Sequence, residues 1–250
     1  MADTLVRSTF ADGVRTLTLD SPHNRNALSR ALVGQLLEGI EAAGEDPDTR
    51  VLVIAAEGKA FCAGADLSEM TSADDDARAR GTAAMLAMIR AVVACPRPVV
   101  ARVHAPVRAG GIGLVAASDI AIASTDATFA LSEVRLGLAP AIISLPVAPR
   151  MTPRAAARTW LTGEVFDGAA AAEHGLVTTA VAPDQLNAEV DAVVADLVKS
   201  PVQGLAETKR LLTGDLLARI DAGGEAMQGL SARLFGSEVA QELMQGFLKR

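Results

Sequence analysis

Residues 51–56, Val-Leu-Val-Ile-Ala-Ala, are apolar without interruption. A strand with one wet face alternates apolar and polar side chains, whereas a strand apolar at every position is covered on both faces, as in a parallel sheet. Six residues are also too few for an ordinary buried helix. Residues 99–103 and 119–123 read as further strands of this kind. Between the first two, Met85, Met88, Ile89, Val92 and Val93 recur at helical spacing, and Pro96 and Pro98 end that helix. A Met stripe of this sort is more often core or subunit contact than a cofactor site.

The same alternation is legible on either side. Residues 6–10 and 14–19 alternate around Asp12-Gly13, the signature of a β-hairpin. Ser29 stands as an N-cap before Leu32, Leu36, Leu37 and Ile40. Residues 57–66 read as a loop, and a short helix is expected over 114–117. Thr152-Pro153 opens a helix that Gly163 closes, and Asp167 and Gly175 bracket another. Beyond Pro183 nearly every segment has helical periodicity. The order predicts an α/β core over residues 1–190 and a C-terminal helical region over residues 191–250.

Composition narrows the function. Half of the residues are hydrophobic, which argues against disorder, and Tyr is absent, so aromatic platforms for single-stranded bases are scarce. A net charge of −7 with no basic run disfavours nucleic acid and anionic membrane surfaces. Cys62 and Cys95 are too few for a disulfide framework and, with the three histidines, do not form a metal-binding pattern. No apolar window is long enough to span a membrane, and the N-terminal residues lack a signal-peptide pattern. The expectation is a cytoplasmic protein with free thiols, no metal and no separate cofactor.

Three segments carry candidate chemistry. Phe61-Cys62-Ala63-Gly64-Ala65-Asp66-Leu67 follows a buried strand and consists largely of small residues. Such a segment is either a tight turn or a place where a ligand approaches the backbone. Arg108-Ala109-Gly110-Gly111-Ile112-Gly113-Leu114 leads into a helix start. There the first N–H groups lack intrahelical partners and can receive an anion, or the glycines simply allow close packing. Gly111 to Ala116 also fits a dinucleotide fingerprint with Glu133 as the distant acid, but the glycines do not directly follow the buried strand, so a nicotinamide enzyme is disfavoured. The third segment, residues 129–137, sets Glu133 among apolar neighbours, where it is a solvated or Arg135-paired acid or a catalytic one.

Taken in order, these segments resemble the crotonase (enoyl-CoA hydratase/isomerase) family. Ser21-Pro22-His23-Asn24-Arg25-Asn26-Ala27-Leu28-Ser29 is similar to the family's early CoA-binding turn, and Leu161-Thr162-Gly163-Glu164 and Glu173-His174-Gly175-Leu176-Val177 match later family elements. The resemblance implies stacked β-β-α units with a helical trimerisation region, and a homotrimer or a dimer of trimers. It implies that the N–H groups of Ala65 and Gly110 form an oxyanion hole for an acyl-CoA thioester, with Glu133 as the acid/base. It places Arg25, Ala27, Ala63, Asp66, Leu67 and Gly111 along the CoA, with Phe247 and Lys249 in a final helix that helps cover a CoA site, of this subunit or of a neighbouring one.

One departure matters. Family hydratases with two carboxylates carry a second Glu where this chain has Gly113, and the local pattern is similar to a methylglutaconyl-CoA hydratase branch that keeps only the later acid. The resemblance therefore implies a hydratase with a single glutamate, with a Δ3,Δ2-enoyl-CoA isomerase or a non-catalytic acyl-CoA binder as alternatives. Arg108 stands where the family is usually apolar; solvent or CoA is its expected partner, ahead of an acid.

Overall fold

The computed structural model describes residues 3–249. The chain opens with the expected hairpin, β1 (Val6–Ala11) and β2 (Val14–Leu19), closed by Asp12 and Gly13 at φ 50° and 81°. These positive values suit a two-residue hairpin turn. Then come α1 (Arg30–Glu45), β3 (Val51–Ala56), the short α2 (Leu67–Ser72) and α3 (Asp75–Ala94). The Ser29 hydroxyl caps α1 by accepting from Leu32 N–H. Next are β4 (Val99–Val103), β5 (Val107–Arg108), α4 (Gly110–Ala117), β6 (Ile120–Ser124) and β7 (Thr128–Ala130). A 3-10 turn, Ser132–Leu136, leads to α5 (Ser144–Arg150), α6 (Pro153–Thr162), β8 (Phe166–Asp167), α7 (Gly168–Glu173) and β9 (Thr179–Val181). Three helices finish the chain: α8 (Leu186–Val198), α9 (Val202–Phe235) and α10 (Glu238–Leu248).

The main sheet has the order β1-β2-β3-β4-β6-β9; β1 and β2 are antiparallel and the remaining pairs parallel. Every residue of β3 is buried. Leu52, Ile54 and Ala56 join the main core with α1, α3 and α4, while Val51 and Val53 face a second cluster with Leu186 and Val190 of α8. The uninterrupted apolar run thus has the two-sided cover that it requires. The expected division between residues 190 and 191 falls inside α8.

A smaller sheet, β5-β7-β8, sets the strand ends that carry the site. The helix expected at 114–117 begins at Gly110 instead, because all eight of its residues are buried and packing overrides the low helix propensity of glycine. The long α9 lies along α3 and is pinned by Lys209, whose ammonium ion-pairs with Asp119 at 2.8 Å and donates to the carbonyls of Val92 and Arg97. Those carbonyls lie at and just beyond the end of α3, where a cation is favoured. Among the described residues no helix is long and apolar enough to cross a membrane.

Candidate active site

Three loops meet at one cavity of about 870 Å³. The first is the turn before α1. Arg25 and Asn26 adopt left-handed conformations, φ 58° and 54°. The buried Asn26 amide donates to the carbonyls of Glu57 and Ala60 and accepts from Ser21 N–H. This side chain ties the turn to the second loop, 57–66; two further ties run from Ala63 N–H to the Arg25 carbonyl and from Leu28 N–H to the Gly64 carbonyl. Asn is one of the few residues that visits this backbone region readily, so it is suited to the position.

The second loop presents Ala65. Gly64, at φ 89°, lies so close to the third loop that a β-carbon there would come within 2.9 Å of Ala109 Cβ and 3.0 Å of the Arg108 carbonyl oxygen. Only glycine allows both that conformation and that approach. Asp66 caps α2, accepting from the Ser68 hydroxyl, from Ser68 and Glu69 N–H and from the Asn24 amide. Burial raises its pKa, but these hydrogen bonds together outweigh burial and hold the carboxyl below its ordinary value.

The third loop turns at Ala109, a non-glycine residue at φ 47° and ψ −119°. Its N–H donates to the Ala130 carbonyl and its own carbonyl accepts from Ile112, so the peptide after it begins α4 at Gly110. A β-carbon on Gly110 would stand 3.8 Å from Ala65 N, so the backbones of the two residues approach closely. Among the described residues neither N–H has an acceptor. Two unpaired donors on backbones this close, one at a helix start, suit a developing negative charge.

Glu133 faces the same cavity from the 3-10 turn. It is only 9% exposed, and its Oε2 has no hydrogen-bond partner among the described residues. Burial pushes its pKa up from 4.5 to about 7, against a smaller opposing effect of its own backbone N–H. A carboxyl poised near neutrality can both accept and return a proton. Arg135 does not pair with it; that guanidinium donates to the Thr162 carbonyl.

The cavity wall also includes Arg25, Ala27, Ala63, Asp66, Leu67 and Phe247. One expected contact, Gly111, is corrected, and a second, Lys249, is absent from this chain's own cavity wall. Gly111 faces inward, where a β-carbon would lie 2.7 Å from Cys62 Cβ, so it serves loop packing instead of lining the cavity. Lys249 is exposed just past the end of α10 and lies outside this chain's cavity wall, whereas Phe247, itself 55% exposed, lines it. Arg108 stands half-buried on the cavity wall, and its guanidinium donates to the Val107 and Thr128 carbonyls and the Thr128 hydroxyl.

Gly113 is not a vacant place. A β-carbon there would meet Ile143 Cγ2 at 2.4 Å. Ile143 also lines the cavity, so an apolar side chain occupies the space in which a side chain on residue 113 would begin. Sequence reasoning missed this role of Ile143, the strained Ala109 and the anchoring Asn26. Only Asn26 left a signal, an Asn within a turn between strand and helix.

The enoyl-CoA hydratase/isomerase family model matches residues 9–250. The chain belongs to the enoyl-CoA hydratase/isomerase family. A crystal structure of an enoyl-CoA hydratase from Mycobacterium avium is similar at 46% identity with a TM-score of 0.91, covering 99% of this chain and 97% of that one. A Mycobacterium tuberculosis protein named (7aS)-7a-methyl-1,5-dioxo-2,3,5,6,7,7a-hexahydro-1H-indene-carboxyl-CoA hydrolase is 32% identical, with 98% of this chain and 99% of that protein aligned. Mouse mitochondrial enoyl-CoA hydratase domain-containing protein 3 is 33% identical over 94% of this chain and 80% of its own length. The chain has the crotonase fold, an α/β core with a C-terminal helical region.

Proposed function

We propose that this family member is an enoyl-CoA hydratase that works with one carboxylate. The observation that carries the reading is Glu133, buried and unpartnered on one oxygen, in the same cavity as the unpaired N–H groups of Ala65 and Gly110. The CoA would run along Arg25, Ala27, Ala63, Asp66 and Leu67, with Phe247 over it. Water held by ionised Glu133 adds its oxygen to C3 of a 2-enoyl thioester and gives its proton to the carboxylate. The electron pair moves to the thioester oxygen, which Ala65 and Gly110 N–H stabilise; each such donor is worth about 3 kcal/mol. Glu133 then returns the proton to C2, so no second acid is consumed.

A second reading, Δ3,Δ2-enoyl-CoA isomerase, is favoured by one observation: Ile143 closes the place beside Gly113. Moving one proton from C2 to C4 needs only one carboxyl. Purified protein with a short trans-2-enoyl-CoA separates the two. Loss of the conjugated-enoyl absorbance with the mass gain of one water supports hydration. No hydration, with conversion of a 3-enoyl-CoA to the conjugated isomer, selects isomerisation. Failure with both substrates, with CoA thioester still bound, leaves a binding protein. Exposed Leu161, Leu211 and Leu212 support the proposal of a homotrimer or a dimer of trimers, which sedimentation tests.

A further inference from the structure

A small apolar cluster lies apart from the main core. Its buried members are Met70, Leu138, Ala240 and Met244, and Ala65, Leu67 and Leu136 pack against them. Ala65 and Leu67 belong to the loop and helix start on the oxyanion side. Leu136 is the last residue of the 3-10 turn that holds Glu133, and Leu138 N–H donates to the Glu133 carbonyl at 3.0 Å. Ala240 and Met244, both fully buried, come from α10 and join the two sides.

The contact is close and specific. At Gly137, φ 69°, a β-carbon would meet Val239 Cγ1 at 3.0 Å and Ala240 N at 3.7 Å, so α10 sits directly on the turn after Glu133. On the other side, the Gln241 amide donates to the Met70 carbonyl at the middle of α2. Gly110, by contrast, is fixed by α4 in the main core.

We propose that α10 is the positioning element that holds the Ala65 N–H and the Glu133 carboxyl in mutual register, with Met244 as its central side chain. The inference rests on the reading of Ala65 and Glu133 as oxyanion donor and acid/base. Met244 does not line the cavity, so it acts through Met70 and Leu138 and not by touching substrate. A displacement of about 1 Å between reacting groups is enough to cost on the order of 10²-fold in rate.

The test compares steady-state kinetics of Met244→Ala, Met244→Leu and Phe247→Ala in the full chain. Met244→Ala is expected to lower kcat by about 30-fold with KM held within about 3-fold. Met244→Leu, which refills the volume, restores kcat to within about 3-fold. Phe247→Ala removes a cavity contact and raises KM instead. Ala240→Val, which thickens the same interface, reproduces the kcat loss and serves if Met244→Ala fails to fold. A Met244→Ala protein with unchanged kcat, or with its loss confined to KM, overturns the inference.

A carboxyl titration by carbon NMR, with the Glu133 signal assigned through Glu133→Gln, judges the inference without turnover. In Met244→Ala the loosened turn admits water, and the Glu133 midpoint falls from about 7 toward its ordinary 4.5. The other charged or titratable groups on the cavity wall, His23, Arg25, Arg30, Arg108, Arg135, Asp66, Glu69 and Glu242, are the same in both proteins. An unmoved midpoint counts against the inference. If wild type turns over neither enoyl-CoA isomer, the functional reading fails, while the titration still decides whether α10 sets the environment of Glu133.

Discussion

Gly110 and Glu133 face one cavity from different ground. Gly110 opens a helix whose eight residues are all buried, within the core that also holds α1, α3 and the inner face of the main sheet. Glu133 stands on a 3-10 turn, and with Ala65 it is joined to α10 through a much smaller cluster. Moving Gly110 means disturbing the main core directly, whereas Ala65 and Glu133 also lean on α2, the turn after Glu133 and the last helix through the smaller cluster. The site therefore has one donor fixed by the global fold and two groups fixed in part by local packing. Local openings cost less than global ones, so the second pair is the adjustable part.

The contrast can be broken first at its chemical end. Glu133→Gln keeps shape and removes the base, and is expected to lower kcat by about 10³- to 10⁴-fold while CoA thioester binding persists. Unchanged turnover would remove Glu133 from the mechanism. The same residue gives a pH test. Its carboxyl binds a proton more tightly when folded, at about 7 against an ordinary 4.5. The stability linked to this group is thus fully present below pH 4.5 and is lost as pH rises through about 7. Activity runs the other way, rising toward a plateau above about pH 7 as the base ionises. At pH 8 the Gln variant should be more stable than wild type by about 3 kcal/mol, measurable by urea unfolding.

On the rigid side, Lys209→Met leaves the largely buried Asp119 carboxylate with the Val99 N–H but without its cation. Removing one partner of a buried pair costs about 3–5 kcal/mol, so a large drop in the urea midpoint is expected. Gly113→Ala comes next. Its methyl meets Ile143 Cγ2 at 2.4 Å, so overpacking of about 1–3 kcal/mol is expected. Ile143→Ala in the same chain should recover part of that loss, a coupling read from the double-mutant cycle. The smallest effect is at Ala109. Its φ of 47° and ψ of −119° suit glycine, and Ala109→Gly should stabilise by about 1 kcal/mol, seen as a modest rise in Tm. A fall in Tm would mean that the β-carbon contributes packing that outweighs the backbone strain.

Much of the scaffold was legible because its signals are local and periodic. The run at β3, the stripe of α3, Ser29 as a cap and Asp12-Gly13 as a turn each state their structure within a few residues. The start of α4 was not, since glycines argue against a helix and only complete burial overrides them. Gly111 and Lys249 were expected at the CoA for their place in the family pattern, but the structure turns one onto Cys62 and leaves the other exposed outside the cavity wall. Arg108 does stand on the cavity wall, but the carbonyls of Val107 and Thr128 that hold its guanidinium are set by strand pairing.

The sequence by itself determined the layered α/β core, the helical C-terminal region, the two small-residue loops and Glu133 as the acid to watch. Hydrophobic period, caps and glycine placement are properties of neighbouring residues, and they survive without the fold. Tertiary structure alone decided that the backbones of Ala65 and Gly110 approach closely, that Ile143 fills the space next to Gly113, and that Met244 joins the loop of Ala65 to the turn of Glu133. Each of these is a contact between residues far apart in the chain, set by the packing of whole elements, and no local pattern encodes it.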